Sequence, residues 1–213
     1  MRAEGEIMKK ISSALLAALL LLATVFTGAP TAMAAGVSVN ATTVTVYFLN
    51  QEFREKISQP AAYPASFQLK VTGADKAAYR VTAGESATVS STGLVEPLCT
   101  RYYWYGNVGS TAPTPGKTPD RVTESYTAGD STVQVTAGGK TFRVTVHVQS
   151  YAQVYVDSVM QDYIAKNLPA NPTDYNKAET AAKFAAQYEY SANYSSYLSM
   201  VILGGGDCWA STG

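Results

Sequence analysis

The fold is decided by residues 131–148, which have the sequence STVQVTAGGKTFRVTVHV. On both sides of Gly138-Gly139, apolar residues alternate with polar residues, which is the period-two pattern of a β-strand. Glycine supplies the positive φ that a two-residue turn between antiparallel strands needs. The stretch therefore predicts a β-hairpin.

The alternation extends towards the N-terminus. Further short strands are predicted at 44–48, 67–71, 79–82 and 87–90, each followed by a polar or glycine-containing turn. Several β-branched strands at such short spacing are typical of an antiparallel sandwich, which we expect to extend over residues 36–149.

A different composition interrupts these strands at residues 97–127, which are rich in tyrosine and proline. The segment predicts a long loop or an insertion that carries an aromatic patch. Two roles for the patch stay open at this point. The aromatic side chains either cover the edge of the sandwich or the next domain, or they form a surface that binds a ligand.

The first 35 residues have the pattern of an export signal. Lys9 and Lys10 precede an apolar run at 11–26, and Ala32-Met33-Ala34 has the small-residue pattern of a cleavage site. The run is shorter than the ~20 apolar residues of a membrane span, and no second run of that length follows. We expect a bacterial protein that is secreted or held at the cell surface, with a retained N-terminal anchor as the alternative.

The composition argues against several classes of function. Sixteen basic and sixteen acidic residues give a net charge of zero, so we expect no nucleic-acid partner, because such binding depends on neutralising phosphates. Two cysteines and one histidine are too few for a cysteine-rich or histidine-rich metal site. No phosphate-binding loop is present either, and we expect no metal and no other cofactor.

From residue 151 onward the apolar residues follow a helical period. The first apolar stripe consists of Val156, Val159, Met160, Tyr163 and Ile164. Leu168-Pro169 ends this helix, and Thr173 or Asp174 is suited to cap a second one. We expect the second helix to pack closely on a neighbour through a stripe formed by Ala178, Ala181, Ala182, Ala185 and Tyr188.

The last ten residues, GGGDCWASTG at 204–213, contain the candidate nucleophile. Asp207 is suited as an N-cap, so Cys208 would begin a short helix. There the free N–H groups and the helix dipole favour the thiolate and lower a thiol pKa from about 8.5 into the range of roughly 3.5–7.5. A histidine partner is normally needed as well to activate such a nucleophile.

The sequence GGGDCWAST at 204–212 resembles the nucleophile segment of the transglutaminase-like superfamily, in which a Gly-x-Cys-Trp/Phe-Ala pattern places the cysteine at a helix start. The two preceding helices agree with it, so the resemblance covers residues 152–213. It implies that Cys208 forms a thioester with an acyl donor, and that a histidine and an Asp or Asn follow along the chain. Neither follows here, and His147 is expected to be a solvent-side strand residue. The resemblance therefore implies the front part of a longer α+β enzyme, which we expect to be inactive by itself.

Residues 36–149 resemble a bacterial immunoglobulin-like domain of the group 2 type. The similarity is carried by TVSSTGLV at 88–95, YTAGDSTVQV at 126–135 and the last strand at 142–148. It implies an immunoglobulin-like β-sandwich, which the short helical segment at 150–213 would follow.

Three functions of different class stay open. The first is an exported transglutaminase-like cysteine enzyme that crosslinks or hydrolyses a protein or peptide substrate, for example one associated with the cell wall. The second is a non-catalytic surface adhesion or spacer module, and the third is a papain-type protease, which the two preceding helices disfavour. A Cys99–Cys208 disulfide would consume the nucleophile, and two inert thiols are a further alternative.

Overall fold

The predicted hairpin lies at the centre of the largest sheet. The computed structural model of the chain describes residues 36–207, which are mostly β-sheet with three short helices. The strands are β1 Ser38–Val39, β2 Thr43–Phe48, β3 Phe67–Gln68, β4 Val71–Thr72, β5 Ala77–Ala83, β6 Ala87–Val89, β7 Leu94–Pro97, β8 Cys99–Tyr105, β9 Val108–Ser110, β10 Arg121–Tyr126, β11 Gly129–Ala137, β12 Lys140–Ser150, β13 Glu189–Tyr190 and β14 Gly205–Gly206. The helices are α1 Tyr151–Asn167, α2 Asp174–Ala185 and α3 Tyr197–Leu203.

The largest sheet has the strand order β2-β12-β11-β5. Its strands pair antiparallel except for β2, which runs parallel to β12. The turn between β11 and β12 consists of Gly138 and Gly139, with φ of +54° and +74°, between the paired residues Ala137 and Lys140. The predicted two-residue hairpin is therefore confirmed, and glycine fills both positions that need a positive φ.

A second layer of strands, β3-β7-β6, shares one hydrophobic core with this sheet. The buried side chains are those that the alternating pattern directs inward: Val44, Val46, Phe48, Leu69, Ala87, Val95, Val133, Val135, Val144, Val146 and Val148. Burying a side chain of this kind contributes about 1.5–3 kcal/mol relative to its exposed state. The short pair β1-β4 continues the second layer, because Leu69 between β3 and β4 donates its N–H to the carbonyl of Gly93 at 2.9 Å.

The tyrosine- and proline-rich segment 97–127 is not a long loop. It contains a three-stranded antiparallel sheet of order β10-β8-β9. Trp104 stabilises this sheet, since its indole N–H donates to Thr123 Oγ1 at 2.9 Å and the guanidinium of Arg121 lies 4.9 Å from the ring centre. The ring of Tyr126 stacks on that of Phe48 of β2, with the ring centres 4.9 Å apart. This part of the aromatic patch therefore covers the β core.

The two predicted helices are confirmed, and their ends follow local rules. Ser150 caps α1 by accepting the N–H of Gln153 at 3.3 Å, and the helix ends before Leu168. Thr173 caps α2 in a capping box, because its hydroxyl accepts from Asn176 N while the Asn176 side chain accepts from Thr173 N.

The predicted packing face of α2 is wrong for three of its five residues, since only Ala185 and Tyr188 are half-buried. The buried residues of this helix are Thr180 and Phe184, whereas Ala178, Ala181 and Ala182 are exposed. The ring of Phe184 lies 5.1 Å from that of Tyr163 on α1, and an aromatic side chain buries far more apolar area than a methyl group. The helix therefore turns Phe184 towards α1, whereas its other aromatic residue, Tyr175, is exposed.

A second hydrophobic cluster joins the helices to the β-strands. It contains Leu49, Phe53, Ile57, Tyr151, Ala152, Val156 and Ile202. Its first three members belong to the segment after β2, which includes a 3-10 turn at Gln51–Phe53. The start of α1 and the end of α3 are thus anchored on the same few residues. None of the helices within residues 36–207 is long and apolar enough to cross a membrane.

Candidate functional site

Cys208, the predicted nucleophile, lies outside the described residues, as does the predicted export signal at 1–35. Its role, its pairing with Cys99 and the helix predicted to begin at Cys208 therefore stay predictions. The structure does describe the chain that leads to the cysteine, namely α3, Gly204, β14 and Asp207.

Helix α3 is a short helix with a defined start and a defined end. Ser196 caps it by accepting the N–H of Ser199 at 3.1 Å. Gly204 ends it in the left-handed conformation, with φ of +87°, and donates its N–H to the Met200 carbonyl at 3.1 Å. A glycine in this position is the common way to end a helix, because a Cβ would be strained there. The chain leaves α3 in one fixed direction as a result.

The glycine pair that follows is a buried strand, which the sequence did not predict. Gly205 and Gly206 form β14 and pair in parallel with β13. The Gly206 carbonyl accepts the N–H of Ser191 at 2.9 Å, and the N–H of Asp207 donates to the Tyr194 carbonyl at 2.9 Å. These bonds fix the backbone up to the residue before Cys208.

Close packing favours glycine at the first position of this strand. A Cβ on Gly205 would lie 3.0 Å from the carbonyl oxygen of Glu189 and 3.4 Å from Ser191 Cβ. The glycines at 204–206 have different roles. In the structure only Gly204 needs a positive φ, whereas the tight contact with Glu189 is made at Gly205.

α3 also packs against α1. Met200 and Ile202 are buried, and the Tyr197 hydroxyl donates to the side-chain carbonyl of Gln153 on α1. The amide of Gln153 in turn donates to Asp157 at 2.7 Å. The backbone before Cys208 is therefore supported both by a strand and by a helix.

His147, the single histidine of the chain, lies on the outward face of the large sheet. Its Nδ1 is 2.6 Å from Asp130 Oδ1 on the neighbouring strand β11, and its side chain is 37% exposed. The prediction of a solvent-side strand residue is confirmed. Its imidazole is held by Asp130 through a cross-strand contact.

A cleft of about 700 Å³ forms a second candidate site, which the sequence analysis missed. Its walls are the end of β2, the segment 59–65, the strand β7 and the start of β8. Two arginines, Arg54 and Arg101, line it, together with Tyr126 and the half-buried thiol of Cys99.

Glu124 on β10 holds the two arginines together. Its carboxylate accepts from Arg54 at 2.7 Å and from the Tyr126 hydroxyl at 3.1 Å, and it lies 3.5 Å from Arg101 Nε. Arg54 also donates from Nε to the Leu49 carbonyl at 3.1 Å. No sequence pattern could have found this cluster, because Arg54 and Glu124 are 70 residues apart in the chain.

The electrostatics of the cluster fix its protonation state at neutral pH. Burial raises the pKa of Glu124, but the hydrogen bond and the charge of Arg54, with help from Tyr126 and Arg101, outweigh it and hold that pKa below its ordinary value. Burial, the thiol of Cys99 and the carboxylate of Glu124 raise the pKa of Tyr126 to about 12. The cluster thus contains two guanidinium cations, one carboxylate and a neutral phenol.

Within residues 36–207, no group of three or more His, Cys, Asp or Glu side chains could hold a metal ion. In comparisons with known proteins, no family model matches this chain, and no curated protein matches it either.

Proposed function

We propose that the protein is an exported transglutaminase-like cysteine enzyme, in which Cys208 takes an acyl group from a protein or peptide. The thiolate would attack the amide carbonyl and release ammonia or an amine, which leaves a thioester on the sulfur. Attack by a second amine would then give a crosslink, and attack by water would complete a hydrolysis. Both routes restore the thiol.

The support for this proposal is the fixed backbone in front of the cysteine. Gly205-Gly206 is buried and paired, and Asp207 is bonded through its N–H to Tyr194. A nucleophile has to be held within a fraction of an ångström of its productive position by rigid supporting elements. A strand that is closely packed on Glu189 supports such a position better than a flexible glycine tail would.

The thiol also needs an imidazole to ionise it. His147 is held by Asp130 on the outward face of the large sheet, and the 213 residues contain no other histidine. The proposal therefore requires that sequence beyond these 213 residues supplies the base and its carboxylate or amide partner. It also requires that residues 1–35 direct export to the surface of a bacterial cell.

For residues 36–149 we propose an immunoglobulin-like sandwich that spaces the enzyme from its attachment point. What supports it is the division of the strands into a group of four, β2-β12-β11-β5, and a group of three, β3-β7-β6, around one core. Seven strands in two packed sheets are the usual composition of such a domain. In this interpretation the sheet β10-β8-β9 is an insertion between two strands of the sandwich.

A second candidate function is a non-catalytic surface adhesion or spacer module. It is favoured by the pairing of His147 with Asp130, which gives the single imidazole of the chain a structural partner. In this alternative the helical segment would only extend the β-rich part, and Cys208 would be an unreactive thiol.

Labelling of the complete gene product with a thiol-reactive acyl probe distinguishes these candidates. The chain has two cysteines, so the matched variants are Cys208→Ala and Cys99→Ala. We expect Cys208→Ala to abolish labelling, by at least about 100-fold, because the nucleophile itself is removed. Cys99→Ala should retain it.

Equal labelling of both variants, or a parent protein that is not labelled, would remove the enzyme proposal and leave the spacer module. A count of free thiols on the non-reduced protein tests the disulfide alternative in the same samples. No free thiol would mean that Cys208 is held in a disulfide and cannot act as the nucleophile.

A further inference from the structure

We propose that β5, at the edge of the large sheet, pairs with β5 of a second copy of this chain, antiparallel and centred on Tyr79. β5 is an outer strand, because the strand order of the sheet is β2-β12-β11-β5. It pairs with β11 on one side, and none of its seven residues is buried. The inference concerns the β-rich part of the molecule and does not depend on the reactivity of Cys208.

The hydrogen-bond pattern of the sheet shows which strand each backbone group faces. Ala137 and Lys140 flank the two-residue turn, and residues in these positions bond to each other, so the backbone groups of Ala137 face β12. The direction alternates along a strand, so the N–H and the carbonyl of Gln134 face β5. The same alternation requires Thr145 of β12 to face β2, and its N–H does donate to the Thr42 carbonyl at 2.9 Å.

Three residues of β5 therefore have open backbone groups. Arg80 lies opposite Gln134, so its own N–H and carbonyl face β11. Those of Ala77, Tyr79 and Val81 then point away from the sheet. Within residues 36–207, no backbone or side-chain group bonds to them on that side. An outer strand with such unpaired groups is a template for a further strand.

The other outer strands of the described residues offer less open backbone. The strands β1, β3, β4, β6, β9, β13 and β14 have only two or three residues each. On β2, the Tyr47 N–H donates to the Pro64 carbonyl at 2.8 Å, and the Tyr47 carbonyl accepts from the Gln59 side chain at 3.3 Å. On β10, Tyr126 is stacked on Phe48. β5 is thus the longest outer strand without such cover.

The closure of the sheet selects a second copy as the partner. An antiparallel pair of β5 strands is two-fold symmetric, so both copies lose their open edge at once. Because the backbone of Tyr47 is already bonded, copies cannot join β5 to β2 along its full length, which would build a fibre. The four strands of each copy would form one continuous sheet of eight.

The open residues and the charge of Arg80 select the register. When the pair is centred on Tyr79, each open residue meets another open one: Tyr79 meets its symmetry mate, and Ala77 meets Val81 twice. Three such pairs exchange about six hydrogen bonds. Arg80 then lies opposite the small, exposed Ala78 of the second copy. A pair centred on Arg80 would instead place two guanidinium groups directly opposite each other, which is destabilising.

Sedimentation velocity of the purified chain under reducing conditions, from about 10 µM to about 1 mM, tests the proposal. We expect a monomer–dimer equilibrium with a Kd below about 1 mM. Ala78→Lys sets a cation opposite Arg80 of the second copy and should weaken the dimer at least about threefold. Ala78→Glu sets a carboxylate there and should strengthen it by about as much. Thr141→Lys, an exposed position in the same row two strands away, is the matched control and should leave the Kd unchanged.

A chain that is still monomeric at about 1 mM would overturn the proposal, as would growth beyond a dimer, which indicates contacts between unlike surfaces. An Ala78→Glu variant that dimerises no better than the parent would contradict the register. Equal weakening by Ala78→Lys and Thr141→Lys would mean that the dimer responds only to total charge.

Two controls accompany the experiment. Ala78 is exposed, so its variants are expected to fold, and an unchanged circular dichroism spectrum checks this. Cys208→Ala should dimerise as the parent does, which separates this proposal from the enzymatic one. Loss of the dimer in that variant would mean that Cys208, and not the β5 edge, holds the copies together.

Discussion

The β-rich part and the helical part of the molecule are packed to different degrees. In the β core, Val46, Val133, Val135, Val144 and Val146 are completely buried, together with Val95 of the second layer. In the helical part, Val156 and Ala152 are completely buried, but Ile164 is 42% exposed and Tyr175 is 72% exposed. An apolar cavity of about 250 Å³ lies between the three helices.

This difference shows where the stability of each part comes from. The two layers of strands bury their apolar side chains against each other, so the β core consists of strand residues and the loop residue Leu69. The helices are anchored at one end by the cluster around Phe53 and Tyr151, and their far ends cover each other only in part. Short helices gain little from propensity alone, and their stability depends on such anchors.

Substitution of a core valine has the largest expected effect. Val146→Ala removes two methyl groups from a fully buried site and leaves a cavity, so it should lower the free energy of unfolding by about 2–3 kcal/mol. The matched change in the helical part, Ile164→Ala, should cost less than about 1 kcal/mol, because that side chain is already 42% exposed. Urea-induced unfolding measures both values. An equal loss of unfolding free energy in the two variants would mean that the helices are as well packed as the sheet.

The second-largest effect is expected from removing Phe184, which anchors α2 on α1. Phe184→Ala should cost about 2 kcal/mol, less than the 3–5 kcal/mol of a well-enclosed phenylalanine, because the residue borders the cavity and the site can collapse. The effect should be local. Hydrogen exchange should accelerate in α2, whereas the amides of β11 and β12 should keep their protection. Faster exchange in both regions would indicate that the helical and β-rich parts unfold as one cooperative unit.

Removal of the charge of Glu124 has the smallest expected effect. Glu124→Gln should lower the free energy of unfolding by up to about 1 kcal/mol at pH 7, since Arg54 and Arg101 are both substantially exposed. The folded-state pKa of Glu124 lies below its ordinary value, so its contribution is complete above the unfolded-state pKa and is lost as the pH falls through the folded-state pKa.

The difference between the parent and the Glu124→Gln variant should therefore be constant from pH 7 down to about pH 5, and should shrink below about pH 4. Unfolding curves across this range measure it. A difference that persists at acidic pH would mean that packing, and not charge, is responsible.

Local patterns were enough to predict several elements of the fold. The alternation at 131–148 and the Gly138-Gly139 turn predicted the central hairpin, and the caps Thr173 and Leu168 predicted where helices begin and end. These features depend only on residues a few positions apart. The face of α2 could not be predicted in this way, because it is decided by Tyr163 on another helix.

Most of the candidate sites depended on distant contacts. The sequence indicated Cys208 as a nucleophile through its neighbours Asp207 and Trp209, but it did not reveal that Gly205-Gly206 pair with Glu189-Tyr190. It predicted a loop or an insertion at 97–127, whereas cross-strand pairs such as Tyr103 with Val122 form a sheet there. Strand pairing of this kind is decided by the partner strand as much as by the strand itself.

By itself, the sequence determined that this chain has a β-rich part followed by helices, because side-chain periodicity and turn residues act over short distances in the chain. The tertiary structure alone decided that α1 and α3 share an anchor with the segment after β2, and that Arg54, Arg101, Glu124 and Tyr126 meet at one cleft. The physical reason is that burial and charge pairing depend on distance in space, and Arg54 meets Glu124 only after the strands between them have folded.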